Sequence, residues 1–143
     1  MSDRNGCVYV YNKTRESFIG TEISVADTYF TRLFGLLGKR RRWCRPGRGL
    51  WIHPSQGVHT IGMLFPIDIV FLNREKKVLA LEEYVRPFRV SSVHLNSESV
   101  LELPPHTIFQ SRIQVGDLLE IIPRRHLTPG VGKEQPADLV RSS

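Results

Sequence analysis

In the segment VHTIGMLFPIDIVFL, residues 58–72, a histidine and an aspartate interrupt a nearly continuous apolar run. A carboxylate that hydrogen-bonds one imidazole nitrogen fixes the ring's tautomer and leaves the other nitrogen to act as a general base or to contact a ligand. His59 and Asp68 are therefore the catalytic candidates, and His59, Thr60, Met63, Asp68 and Ser55 form the candidate ligand-binding set. Strict alternation along one straight strand puts positions 59 and 68 on opposite faces. A one-residue bulge at Gly62 or a break at Pro66 shifts the register and brings them to one face. The competing reading is a buried polar staple, because a buried carboxylate needs a partner whose removal typically costs ~3–5 kcal/mol.

Ser55, in HPSQGVHT, lies close enough in sequence to be a nucleophile for His59. No glycine-bracketed elbow surrounds it, and a serine in a Pro/Gly-rich loop is first of all a turn former. His53 and His59 offer two nitrogens where zinc requires three or four ligands, and Cys7 and Cys44 stand in no metal or redox spacing. Neither a metal site nor a cofactor is expected.

A second candidate is electrostatic. Residues 39–48, KRRRWCRPGR, hold six of the twenty Lys and Arg and no acid, which leaves 14 basic against 14 acidic residues elsewhere and places the whole formal charge of +6 in one loop. Lys39, Arg40, Arg41, Arg42, Arg45 and Arg48 offer phosphate contacts, and Trp43 among them offers a stacking platform, so a polyanion or nucleic acid is the partner this loop suggests. The plainer reading is a solvated loop after a helix, whose C-terminal end also favours cations.

These candidates must be positioned by a small framework. At 143 residues, with 41% hydrophobic and 24% charged, the chain has the balance of one globular domain. Residues 1–126 are expected to form it, and 127–143, where periodicity gives way to Gly, Pro and charge, a flexible tail. The start lacks a basic-then-apolar leader and no apolar run reaches membrane-spanning length, so a cytoplasmic protein without membrane contact is expected.

CVYVY, TEISVA, GLWIHP, residues 58–61 and 67–72, VLALEEYV, SVLELP and LLEIIP read as strands separated by turn signals such as NREKK and VGD. In DTYFTRLFGLLGK, Phe30, Leu33, Phe34 and Leu37 follow helical spacing, with Asp27 as N-cap and Gly38 past the last turn. The fold class is thus α+β, mainly β: a small curled antiparallel sheet or partly open barrel with one main helix. On this framework Glu102 reads as an outward strand position and Asp117 as a turn former.

With RLFGLLGK before it and VLELP and VGD after it, VHTIGMLFPIDIVFL resembles the family of domain of unknown function 192, over roughly residues 23–122. The resemblance implies a compact, mostly β domain with a little helix and assigns no reaction. Members often carry a cysteine shortly before the histidine, where this chain has Ser55, and commonly a glycine where it has His106. Any thiol chemistry of relatives therefore does not transfer. The leading expectation is a noncatalytic module binding a small molecule or protein at a polar niche around His59 and Asp68. The alternatives are a hydrolase with His59 as base and a nucleic-acid accessory protein using loop 39–48.

Overall fold

A computed structural model describes residues 6–26, 45–58, 60, 63 and 65–124. The helix expected around residues 27–38, most of the basic loop, His59 and the C-terminal tail lie outside the described residues.

Seven strands and one short helix follow in chain order: β1 Val8–Asn12, β2 Ser17–Ala26, β3 Arg48–Ile52, β4 Ile67–Leu72, β5 Val78–Val85, β6 Ser99–Leu103, α1 Thr107–Ser111 and β7 Leu119–Pro123. They form one sheet in the order β5-β4-β6-β3-β2-β1-β7. Every pair is antiparallel except β2 with β3, which run parallel. A parallel pair needs a long connection, and β2 ends 22 positions before β3 begins, at Ala26 and Arg48.

The sheet curls until its two edges meet at one end. Lys77 of the β5 edge bridges Leu118 beside β7, and Val78 N–H donates to the Asp117 carbonyl at 2.9 Å. The product is a half-barrel, as the density of short strands and turns implies. Val8 and Val10 of β1, Ile23 of β2, Val70 and Leu72 of β4, Val78 of β5, Leu101 and Leu103 of β6 and Leu119 of β7 pack inside the curl, and Ile108 of α1 joins them. Side chains alternate, so Leu50, Ile52, Ile67, Ile69, Phe71 and Val100 form a second core on the opposite face, joined by Val58 and Met63.

Strands β4 and β6 are therefore covered on both sides, and every residue in them is buried. This corrects the outward reading of Glu102: β6 lies between β4 and β3, and Glu102 is fully buried with Val100 on the second-core face. Asp117 does sit in a turn, but it is buried and bonded rather than merely exposed.

Alternation is broken where it matters for the site. Across β4 and β5, Ile67 faces Val85 but Ile69 faces Glu82, so Glu83 and Tyr84 together oppose Asp68. That is a bulge, and it leaves a backbone N–H without a ladder partner. Tyr84 adopts φ 53°, in the left-handed region.

Candidate functional site

Asp68 fills the gap that the bulge opens. Its Oδ1 accepts from the Tyr84 N–H at 2.9 Å and its Oδ2 from the Ile108 N–H at 2.9 Å. The second bond matters because α1 begins at His106 without a side-chain cap, and the first N–H groups of a helix have no intrahelical acceptor. A carboxylate is also the favoured partner for that positive end. One fully buried side chain thus joins the β5 bulge to the start of α1.

Thr60 does the same for the next four residues. Its hydroxyl donates to the Arg86 carbonyl at 2.7 Å and accepts from the Arg89 N–H at 2.8 Å. Its own N–H donates to the Arg89 carbonyl, and its carbonyl accepts from the Phe88 N–H at 3.0 Å. Further along, Ser91 N–H donates to the Val58 carbonyl, Val58 N–H to Ser91 Oγ, and His94 N–H to the Gln56 carbonyl. Gln56, Val58 and Thr60 therefore run beside residues 89–94 and fix them.

The residues so held are unusual. Tyr84, Phe88 and His106 have φ of 53°, 60° and 70°, although none is glycine. Left-handed backbone costs a non-glycine residue of order 1–3 kcal/mol and persists where neighbours over-determine it. Glycine at any of these three positions would carry no such penalty. The Tyr84 and His106 rings lie 5.3 Å apart and 33° from parallel, and both residues are exposed. Tyr84, Phe88 and His106 escaped sequence reasoning, and only the departure from glycine at 106 signalled one of them.

The remaining candidates separate. Met63 is buried in the second core, and its N–H donates to the Thr60 carbonyl at 3.1 Å. Ser55 Oγ donates to the Gly57 carbonyl at 2.8 Å, the bond of a turn former. Ser55 lines an open groove of about 600 Å³ with Arg74, Leu95, Ser97 and Glu98. Beside that groove, Glu98 Oε1 lies 3.1 Å from His53 Nε2, and this hydrogen bond holds the Glu98 carboxyl below its ordinary pKa, with Lys76 and Arg74 assisting. In the basic loop, Arg48 pairs with Glu22 at 2.7 Å and Arg45 is exposed, while Lys39, Arg40, Arg41, Arg42 and Trp43 lie outside the described residues. Among the described residues, no three His, Cys, Asp or Glu side chains gather as metal ligands would, and no helix is long and apolar enough to cross a membrane.

A curled sheet with its edges in contact, a short helix packed on its first core and two buried polar side chains bonded to backbone define a β-rich half-barrel domain. The chain belongs to the DUF192 family, described as an uncharacterized ACR, whose profile matches residues 9–121. A UPF0127 protein of Pyrococcus furiosus is 28% identical over 114 residues, which cover 76% of this chain and 94% of that one. The solved structure of a protein of unknown function from Novosphingobium aromaticivorans shares the fold with a TM-score of 0.65 at 18% identity, over 79% of this chain and 82% of its own. A proposed transcription regulator from Sinorhizobium meliloti does so with a TM-score of 0.60 at 19% identity, over 80% and 91%.

Proposed function

We propose that this protein is a noncatalytic binding module and that the niche around His59, Thr60 and Asp68 serves recognition by shaping a surface. The observation that carries this reading is the use to which the buried polar atoms are put. Both oxygens of Asp68 and the hydroxyl of Thr60 bond backbone amides or carbonyls of residues 84–89 and of α1. A general base is instead expected to present an unshared polar atom toward a reacting group. Here the outcome is a fixed backbone that displays Tyr84, Phe88 and His106. Strain of this kind clusters at functional sites, ligand clamps and active sites alike.

The test is an amide chemical-shift map of the full chain against pooled metabolites and short peptides. Binders that perturb Tyr84, Phe88 and His106, and that weaken when Tyr84→Ala and His106→Gly are introduced, support the module. Ligands that map elsewhere overturn it, as does product formation abolished by His59→Gln.

A further inference from the structure

Five of the eight exposed large hydrophobic side chains among the described residues fall within one stretch of twelve: Tyr84 at 48% exposure, Phe88 at 66%, Val90 at 72%, Val93 at 64% and Leu95 at 78%. Side chains of this size are seldom displayed together unless something covers them. The stretch is YVRPFRVSSVHL, with two arginines, a histidine, and no Asp, Glu or Lys. Enrichment in aromatic residues and Arg with depletion of Lys and acid is the composition of a protein interface. The backbone beneath it is held by Thr60, Val58 and Gln56, so little order has to be gained on binding.

Charge selects among occupants. Arg86 and Arg89 are exposed within the strip; of the two acids that directly precede it, Glu82 already accepts the Ser92 N–H at 2.8 Å and Glu83 is exposed. A second copy docking face to face would set these arginines against their own kind, with Glu83 as the one exposed acid adjoining the strip on each side for two guanidinium groups. A single-stranded nucleic acid would satisfy the arginines and stack on Tyr84 and Phe88, but it would leave the aliphatic side chains of Val90, Val93 and Leu95 uncovered. From this surface, and resting on the binding-module reading above, we infer that residues 84–95 dock an acidic, aliphatic polypeptide segment of a partner protein. Its carboxylates meet Arg86 and Arg89, and its aliphatic side chains cover Phe88, Val90, Val93 and Leu95.

The experiment is fluorescence anisotropy of the full chain with a labelled peptide of about twelve alternating glutamate and leucine residues, long enough to span the strip. A lysine–leucine peptide and an oligo-dT strand serve as competing probes. The acidic peptide should bind, more weakly as salt rises, and the lysine–leucine peptide should not. Arg86→Glu with Arg89→Glu should weaken binding by about tenfold or more, as should Val93→Ser with Leu95→Ser. All four side chains are exposed, so these variants should fold. Tighter binding of oligo-dT, concentration-dependent dimerisation that buries the strip, or indifference of the acidic peptide to both double variants overturns the inference. If the acidic peptide fails while other ligands still perturb Tyr84 and Phe88, only the partner class falls; if nothing binds there, the module reading falls with it.

Discussion

The Asp68 carboxylate accepts the backbone N–H of Tyr84 at 2.9 Å, across a bulge that places two residues of β5 opposite one of β4. The aspartate completes a strand pairing that the bulge interrupts, and its other oxygen starts α1. Its position in an apolar strand follows from that work: the Ile108 amide is buried and the Tyr84 amide partly so, and an unsatisfied buried donor typically costs about 1–3 kcal/mol.

The close approach of β3 to β6 leaves no room for a side chain at Gly49 without a shift of the backbone. A Cβ there would lie 2.5 Å from the Glu102 carbonyl oxygen and 3.0 Å from side-chain atoms of Ile23 and Leu103. The carbonyl belongs to a central strand and cannot swing aside. Gly49→Ala is expected to cost about 1–3 kcal/mol, read as a lower urea midpoint with unchanged slope.

Most strands were legible because their patterns are local; the exception is the strand expected at 58–61, where Val58 and Thr60 lie outside every strand and bond instead to residues 88–91. VYVYN alternates buried and half-buried residues as a strand with one core face should, and IDIVFL, apolar but for its aspartate, is buried on both faces. The NREKK turn returns β4 into β5 as expected. What escaped sequence reasoning is relational. The partners of Asp68 are main-chain amides 16 and 40 residues away, which carry no side-chain signature. Of the bulge expected at Gly62 or the break at Pro66, Gly62 lies outside the described residues and β4 does begin directly after Pro66, while the bulge opposite Asp68 lies on β5, where no sequence signal pointed. Helix α1 has five residues, too few for a periodic pattern, and the parallel pairing of β2 with β3 depends on a crossover that strand patterns do not reveal. Glu102 looked outward because strand alternation says nothing about whether both faces of a sheet are covered.

Asp117 gives the fold a pH dependence. Burial works to raise its pKa, but hydrogen bonds from Asn12 and the Gln114 amide, with Arg15 beside it, outweigh this and hold it below the ordinary 3.8. A folded-state pKa below the unfolded one lends stability that is full above the unfolded value and fades as pH falls through the folded value. Asp117→Asn should therefore cost about 1–2 kcal/mol at neutral pH, a modest figure because Arg15 is partly exposed and screened. The gap between variant and wild type should close as the pH of urea titrations is taken below 3.8.

Arg112 ends α1 in the left-handed region at φ 57°, with its N–H on the Phe109 carbonyl. Glycine takes that conformation without the Cβ penalty. Arg112→Gly is expected to raise stability by about 0.5–1 kcal/mol, seen as a higher melting temperature.

The most direct test of the account is native-state hydrogen exchange at the Tyr84 and Ile108 amides in wild type and Asp68→Asn. The asparagine keeps one acceptor oxygen and turns an N–H group toward the other amide, so one of the two bonds must fail. Selective loss of protection at one of these amides, by about tenfold or more, is expected while Val70 and Leu101 in the core keep theirs. Equal protection of both amides in the variant and the wild type would contradict the claim that Asp68 holds this surface in place.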